Sequence, residues 1–350
     1  LSGADAMHVA LIDSHNAVER GQANSIIKVL STGQLVGGND RTPRQVERRD
    51  VPPTIRAVNA VTRSKAARAT VGDYHLTELL DEGVGYQDWL GVHQTLTESK
   101  RRIRWYLVHD QATKDERNRI QRAAEREARV LQGVREPGVL AFREFISTDR
   151  GPALTFDFVE HATRLDHWLA QQEQGLDPLT AYELLGKLAH AVKHAHGHHL
   201  VHRALSPESV LCLLDPANER AIPEIALINW QTALVQQGTL HTSGTIHLED
   251  LLDSRAAVYC APEALRDPDK ADDRADIFSL GCIAWRLFTG KPPATNQLEL
   301  NRILQDQGGL QLAAAQDGVP PELDYLIEAS TQASVNGRIH IDDFLCELEG

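Results

Sequence analysis

The side chains of this chain that could do chemistry are concentrated in residues 201–210, which read Val-His-Arg-Ala-Leu-Ser-Pro-Glu-Ser-Val. His202 and Arg203 carry an imidazole and a guanidinium group, and Ser206 and Ser209 carry hydroxyl groups. Ala204 stands among them with only a methyl group, which can neither accept a proton nor bind a metal ion. The run is therefore polar around a position that can take no part in acid–base chemistry.

The composition is that of an ordinary globular protein with a sizeable core, since 42% of the 350 residues are hydrophobic and 24% are charged. A net charge of −13 argues against general binding to nucleic acids or anionic membranes. The four cysteines, at 212, 260, 282 and 346, form no C-x-x-C pair, which fits a reducing cytoplasm without a zinc site. No apolar run approaches the ~20 residues of a membrane span, and no signal peptide opens the chain. We expect a cytoplasmic segment of a longer protein.

The pattern of apolar residues predicts strands, one helix and more strands between residues 74 and 158, and then a mainly helical part. Residues 104–109 and 153–159 have the composition of strands, and 115–131 form a charged helix with an apolar stripe. Asp177 and Pro178 are typical of a helix start. Residues 276–289 are apolar around most of the helix circumference, which predicts a buried helix that Gly290 ends. This order predicts an α+β fold with two lobes.

Several of these motifs together resemble the protein kinase superfamily. Residues 202–207 resemble its catalytic loop, residues 260–265 the Ala-Pro-Glu motif that closes its activation segment, and residues 276–281 the start of its buried helix. The resemblance implies a bilobal protein-kinase-like fold, with a β-rich N-lobe at 73–158 and an α-helical C-lobe at 159–350. It also implies structural roles, including an ion pair of Arg338 with Glu263, for His202, Arg203, Glu263, Asp276, Gly281 and Arg338.

The same comparison implies that the residues of phosphoryl transfer are replaced. Ala204 stands at the catalytic Asp, Ser206 at the adjacent Lys, and Ser209 at the Asn that holds a second magnesium ion. Asn229, in Asn-Trp-Gln, stands at the metal-binding Asp of Asp-Phe-Gly. We align Leu107 with the Lys that grips the phosphates, so that Glu127, the retained helix Glu, would have lost its partner.

The glycine-rich loop, residues 81–89, also departs from the family. Gly83 and Gly85 remain, Tyr86 replaces the third glycine, and Asp81, Glu82 and Asp88 would repel a triphosphate. Asp157 and Val159 align with the hinge that would bond adenine, with Phe156 as gatekeeper, and the pocket could be empty, filled or able to bind nucleotide. We expect no required cofactor, no bound metal, and at most weak nucleotide binding that does not depend on magnesium.

A narrower resemblance is to the kinase-like region of bacterial proteins that join a NERD domain to a kinase domain, as in the phage growth limitation (BREX type 2) defence system. It implies that 1–50 are the tail of a NERD-like domain, that 51–72 are a linker or connecting helix, and that 73–350 are kinase-like. The implied function is that of a pseudokinase, a non-catalytic module binding other defence proteins, with no direct nucleic-acid or membrane contact. The alternative is an atypical active serine/threonine kinase.

Three further features admit two interpretations each. The basic stretch 41–68 could bind anions, although a solvated connecting helix is favoured. The histidines at 194, 196, 198, 199 and 202 could hold a metal, although the resemblance favours packing roles for His196 and His202. The hydroxyls of Thr239, Thr242, Ser243 and Thr245 could be phosphorylated and pair with Arg203, although a flexible polar loop is favoured.

Overall fold

The structure is a computed structural model that describes residues 69–172, 175–218, 221–235 and 251–350. The predictions made for residues 1–68 lie outside the described residues, as do those for Thr239, Thr242, Ser243 and Thr245. The described part has the α+β bilobal fold that the sequence predicts.

The N-lobe is a twisted antiparallel sheet with one long helix. Its elements are β1 (Thr70–Val71), β2 (Tyr74–Gly83), β3 (Tyr86–His93), β4 (Lys100–Trp105), α1 (Lys114–Leu131), β5 (Phe142–Thr148) and β6 (Gly151–Asp157). Within the described residues the sheet has six strands in the order β1-β2-β3-β4-β6-β5. The tight turn at residues 84–85 joins β2 to β3, and Gly85 there has φ +79°, a conformation that favours glycine.

Two boundaries differ from those expected from the sequence. Thr70 and Val71 belong to the sheet rather than to a connecting helix, because Val71 is fully buried and pairs with Tyr74. The strand expected at 104–109 ends at Trp105. Beyond it the backbone N–H groups of Tyr106 and Val108 still donate to the carbonyls of Pro152 and Arg150, each at 2.9 Å. The Tyr106 side chain packs towards α1.

Helix α1 starts at a capping box, in which Thr113 and Glu116 satisfy each other's backbone N–H groups. The helix is strongly charged, but its buried face carries Ala123, Ala124 and Val130 together with Glu127. Glu127 is completely buried. A carboxylate in that position requires partners from the sheet or the loops below it.

The C-lobe is mainly helical, with three short β-ladders facing the cleft. Its elements are β7 (Ala162–Arg164), α2 (Leu165–Ala170), α3 (Pro178–Gly197), β8 (Leu200–Val201), β9 (Val210–Leu213), β10 (Glu224–Leu227), β11 (Leu234–Val235), α4 (Ser254–Ala257), α5 (Pro262–Arg266), α6 (Arg274–Thr289), α7 (Gln297–Gln307), α8 (Leu312–Ala315), α9 (Pro321–Ser330) and α10 (Ile341–Glu349). Asp177 caps α3 by accepting the N–H of Thr180.

Helix α6 is the centre of the C-lobe, since all of its residues from 275 to 284 are buried. Gly281 allows close packing against α9, because a Cβ there would lie 2.2 Å from Ser330 Oγ. Gly290, with φ +70°, ends the helix in the left-handed conformation. No described helix is both long enough and apolar enough to cross a membrane.

Candidate functional site

The loop at residues 201–210 is fixed by a buried carboxylate of α6. Asp276 accepts the backbone N–H groups of His202 (2.8 Å) and Arg203 (2.7 Å) and a hydrogen bond from His196 Nε2 (3.0 Å). Burial acts to raise the pKa of Asp276, but His196 and the other donors outweigh it, and the pKa lies below its ordinary value. Two of these three hydrogen bonds join the start of the loop directly to helix α6.

The centre of this loop has no group for proton transfer. Ala204 is buried, and its carbonyl oxygen accepts a hydrogen bond of 3.2 Å from Ser209 Oγ. Ser206 Oγ lies 3.4 Å from Ser209 Oγ. The hydroxyl groups of Ser206 and Ser209 therefore make their contacts within the loop.

The Arg203 side chain is held by backbone carbonyl groups, two of which belong to the start of the activation segment. Its guanidinium group is buried and donates to the carbonyl oxygens of Thr232 (2.7 Å) and Pro268 (2.6 Å). Burial lowers the pKa of Arg203 to about 10. Three of its five N–H donors are thus bound to backbone. Pairing of Arg203 with a phosphate stays a prediction, because the hydroxyl groups concerned lie outside the described residues.

Asn229 is enclosed by protein on both sides of its amide. Its Oδ1 accepts the hydroxyl of Tyr86 at 3.0 Å, and its Nδ2 donates to the carbonyl of Glu208 at 2.8 Å. Tyr86 reaches it because Gly83 has no side chain: a Cβ there would lie 2.4 Å from the Tyr86 ring. The absence of a side chain at Gly83 thus leaves room for an aromatic ring where, according to the family resemblance, phosphate would bind. Gly85 has a different role, which is to form the turn between β2 and β3.

Glu127 has a full set of partners, which overturns the expectation that its partner is missing. Its Oε1 accepts Arg104 Nη1 at 2.8 Å and the backbone N–H of Trp230 at 2.9 Å. Its Oε2 accepts the hydroxyl of Tyr106 at 2.5 Å. Arg104 therefore occupies the position that the sequence alignment assigned to Leu107. The indole of Trp230 packs against the His202 ring.

The assignment of Leu107 to the phosphate-gripping position is wrong. Leu107 packs in a separate cluster on the outer face of the sheet, with Trp89 and Trp105. The sequence alignment assigned the phosphate-gripping position to Leu107, three residues after Arg104, which occupies it in the structure. Side chains alternate along a strand, so Arg102 and Arg104 share the face that looks into the cleft.

Asp88 links both arginines in a buried charge cluster. It lies directly opposite Arg104 in the β3–β4 ladder and accepts Arg104 Nε and Arg102 Nε, each at 2.8 Å. Burial acts to raise the pKa of Asp88, but Arg104 and Arg102 outweigh it and hold the pKa well below its ordinary value. The expectation that Asp88 repels a triphosphate is wrong, because its charge is compensated within the protein.

The cluster extends across the cleft to the C-lobe. Arg164, at the end of β7, donates to Asp81 Oδ1 at 3.0 Å and pairs with Asp166. Arg102 Nη2 lies 3.8 Å from Asp81 Oδ2. Burial raises the pKa of Asp81 more than its arginine neighbours lower it. We call the set Asp81, Asp88, Arg102, Arg104, Glu127 and Arg164 the cleft ion-pair cluster.

The cleft ion-pair cluster lies where a nucleotide would bind according to the family resemblance. Aromatic rings pack against its arginine side chains. The Arg104 guanidinium lies 4.0 Å from the Tyr86 ring centroid and 5.9 Å from that of Phe156. Arg102 faces Phe156 in the β4–β6 ladder. Long cationic side chains thus occupy the face of the sheet that an adenine ring would need, so the residues present do not fit a bound nucleotide.

The hinge residues are engaged in other contacts. The backbone N–H of Asp157 donates to the carbonyl of Ala141 at 3.0 Å. The Asp157 carboxylate binds Arg143 on the surface, and the Val159 side chain packs against the core. The open part of the cleft is a cavity of about 330 Å³ on the side of Ala204, Ser209 and Asn229, and none of its lining residues comes from the hinge.

The histidines of residues 194–202 perform different tasks. His202 Nε2 lies 2.8 Å from the carbonyl of Ile228, and burial lowers the pKa of His202. His198 lies at the surface beside Glu136. Within the described residues, no group of three or more His, Cys, Asp or Glu side chains is placed to hold a metal ion.

The C-lobe anchor expected from the resemblance is present. Arg338 donates through Nη1 and Nη2 to the two oxygens of Glu263, at 2.5 and 2.9 Å. The side chain of Arg338 has no exposed surface, and that of Glu263 is 19% exposed. Arg338 also donates to the carbonyl of Gln332 at 2.7 Å.

Comparison with known proteins agrees with this geometry. A model of the protein kinase domain matches residues 100–347. Probable kinase PglW of Streptomyces coelicolor is 30% identical over 92% of this chain and 22% of its own length. Serine/threonine-protein kinase PknL of Mycobacterium tuberculosis is 27% identical over 59% of this chain and 48% of its own.

Human cyclin-dependent kinase-like 2 is 25% identical over 51% of this chain and 33% of its own length. The chain therefore spans less than half the length of each of these three relatives. The match to the domain model covers most of the chain, and the resemblance to PglW covers nearly all of it. The chain belongs to the protein kinase family.

Proposed function

We propose that this kinase-like domain is a pseudokinase, a non-catalytic module that binds and regulates other proteins. The observation that carries the proposal is the cleft ion-pair cluster, in which Asp88 and Arg102 fill the nucleotide side of the cleft. The replacement of the catalytic base by Ala204 and the enclosure of Asn229 support it independently.

These features remove three separate contributions to phosphoryl transfer. A positioned base is worth roughly 10²–10⁴ in rate, and Ala204 provides none. Arg104 is bound to Asp88 as well as Glu127, so it is not available to grip phosphates. Asn229 and Ser209 are neutral and already hydrogen-bonded within the protein, whereas a hard dication prefers carboxylates. Electrostatic stabilisation of the transition state, on which phosphoryl transfer chiefly depends, is thus lost.

The wider role we propose rests on the similarity to PglW. We infer that the domain is part of a larger bacterial protein of the phage growth limitation type, located in the cytoplasm. Its partners would be other protein components of the defence system. Neither a nucleic acid nor a membrane is proposed as a direct partner, because the chain carries a net charge of −13.

One observation favours the alternative of an atypical active kinase. Glu127 is paired with a basic side chain of β4 and bonded to the Trp230 backbone, which is the assembled arrangement of a kinase cleft. In this chain Asp88 also binds Arg104 and Arg102, and Tyr106 also binds Glu127. The alternative therefore requires a base and metal ligands at positions other than Ala204, Ser209 and Asn229.

The first test is phosphotransfer itself. With radiolabelled ATP and magnesium, we expect incorporation into the protein or a generic substrate no higher than in the absence of protein. Ala204→Asp is expected to leave the result unchanged, because effects within one catalytic unit are not additive and the phosphate grip and metal ligands would still be missing. Incorporation above background that disappears in Glu208→Gln, which removes a carboxylate lining the open part of the cleft, would establish the active-kinase alternative.

A second test measures nucleotide binding by thermal unfolding. At 1 mM ATP we expect stabilisation below about 0.4 kcal/mol, the effect of a Kd of 1 mM, and the same value with and without magnesium. The physical reason is that Arg102 and Asp88 occupy the space for adenine, and Asn229 has no charge to hold the ion. A shift of several degrees that requires magnesium would show that the cleft accepts a nucleotide.

A further inference from the structure

The turn of the β2–β3 hairpin lies over the cleft with little packing to support it. Val84, at the turn, is 42% exposed. It lines both the cleft cavity of about 330 Å³ and a second cavity, of about 440 Å³, on the side of α1. A Cβ atom at Gly85 would have nothing within 4 Å. Because cavities lie on both sides of the turn, packing alone does not fix its position.

Two anchors join the hairpin to the C-lobe instead. On the β2 arm, Arg164 Nη1 donates to Asp81 Oδ1 at 3.0 Å and to the carbonyl of Glu82 at 3.3 Å. On the β3 arm, the hydroxyl of Tyr86 donates to Asn229 Oδ1 at 3.0 Å. The two anchors lie on opposite sides of the turn, so each arm of the hairpin is bound to the C-lobe.

The C-lobe groups that form these anchors are themselves fixed. Arg164 is 5% exposed and donates through Nε and Nη2 to Asp166, at 2.8 and 2.6 Å. Asn229 donates through Nδ2 to the carbonyl of Glu208 at 2.8 Å. The position of the hairpin turn therefore depends on whether its two anchors are formed.

The pairing of β2 with β3 provides a place at which the hairpin can bend. The register of the two strands is irregular at residues 76–78 and again at 79–81. Such irregularities interrupt the ladder of hydrogen bonds and allow a strand to bend. The base of the hairpin is fixed, because Leu76 is 2% exposed and belongs to one apolar cluster with Val71 of β1.

We propose that the tip of the β2–β3 hairpin, residues 82–86, is a strap that the anchors at Asp81 and Tyr86 hold closed over the cleft. When both anchors break, the strap moves outwards by bending at residues 76–81. Its movement joins the two cavities, since Val84 lines both of them. The strap thus controls access to the side of the cleft that contains Ala204. This role does not depend on whether the domain transfers phosphate.

The double variant Asp81→Ala/Tyr86→Phe is designed to release both anchors and preserve the fold. The arginines that pair with Asp81 each retain another carboxylate, and phenylalanine retains the aromatic ring of Tyr86. A hydrogen bond of ordinary strength corresponds to a factor of about five in an equilibrium constant. We therefore expect the double variant to raise the open fraction at least tenfold. Tyr74→Phe, which removes a hydroxyl group at the base of the same hairpin, is the matched control.

The movement is measured by double electron–electron resonance between two spin labels on the 350-residue chain. Val84→Cys places one label on the strap, and the native Cys346, which is exposed, carries the other. The other three cysteines are buried and are not labelled. We expect one narrow distance distribution in the otherwise unchanged protein and in Tyr74→Phe. In the double variant a second population should appear at a different distance.

A label at Leu96→Cys, in the exposed loop between β3 and β4, reports movement of the whole N-lobe, because Leu96 is 63% exposed and far from the turn in the hairpin. Its distance distribution to Cys346 should be the same with and without the anchors. If it changed together with that of Val84, the N-lobe would move as one body and there would be no separate strap. A Val84 distribution that is unchanged in the double variant would overturn the proposal. So would a broad Val84 distribution with both anchors present, a result that requires no anchor variant to fold.

Discussion

Replacing Arg338 with methionine is expected to lower the free energy of unfolding by about 3–5 kcal/mol, the usual cost of removing one partner of a buried ion pair. Glu263 would lose both of its hydrogen bonds, and the carbonyl of Gln332 would lose a donor. Because methionine preserves most of the apolar contact of the Arg338 side chain, the loss in the free energy of unfolding measures the effect of removing the charge. Urea denaturation followed by circular dichroism measures it.

Two variants make this result specific. Lys193→Met removes an ion pair of similar length, 2.8 Å to Asp342, but both side chains are about half exposed or more. An exposed pair contributes at most about 1 kcal/mol. The double variant Glu263→Leu/Arg338→Met should be less destabilised than Arg338→Met alone, because it leaves no unpaired charge. If Arg338→Met cost no more than Lys193→Met, the pair would not anchor the lobe.

The C-lobe could be predicted from the sequence because its motifs are short and their roles are structural. Asp276, Glu263 and Arg338 each satisfy backbone or charged groups brought from far along the chain. Their residue types are therefore nearly fixed by the fold. Gly281 belongs to the same class, because its contact with Ser330 leaves no space for a side chain.

The position of β4 could not be predicted so reliably. The run Trp105–Val108 is the most apolar in that region, and it suggested a strand centred there. The strand is in fact Lys100–Trp105, because its arginines are buried by pairing rather than exposed. The informative signal was the spacing of Arg102 and Arg104, two residues apart on one face, with Asp88 on the preceding strand.

The partners of the cleft ion-pair cluster also come from distant parts of the chain. Arg164 reaches Asp81 from 83 residues away, and Tyr86 reaches Asn229 from 143 residues away. Taken one at a time, Asp81 and Asp88 indicate repulsion of phosphate. Only the three-dimensional arrangement shows that arginines neutralise them. The proposed reason for weak ATP binding therefore changes from repulsion of the phosphates to occupation of the cleft by side chains.

The largest effect within the cleft is expected for Asp88→Asn, which leaves Arg102 and Arg104 without the carboxylate they share. We expect a loss of about 3–5 kcal/mol in the free energy of unfolding at neutral pH. Asp149→Asn, at an exposed position, is the control and should change stability by less than about 0.5 kcal/mol. Denaturant titration of the three proteins measures both values.

This loss should depend on pH with a defined sign. The pKa of Asp88 is lower in the folded protein than its ordinary value. The stability it contributes is therefore fully present above that ordinary value and disappears as the pH falls through the folded-state pKa. The difference between wild type and Asp88→Asn should shrink under acid conditions. A difference that stayed constant from pH 7 to pH 2 would mean that the Asp88 charge is not responsible.

The double variant Asp88→Val/Arg102→Ala removes one anion and one cation together and leaves the pair of Arg104 with Glu127 intact. It should be more stable than Asp88→Asn, because fewer charges remain uncompensated. It should also open space beside Phe156, and we expect saturable adenosine binding at least tenfold tighter than in the wild type. Because adenosine has no phosphate, calorimetry with adenosine measures binding in this space without any contribution from phosphate contacts. Equal adenosine affinity in the two proteins would show that Asp88 and Arg102 do not occlude the cleft, and the proposal would then depend on Ala204 and Asn229 alone.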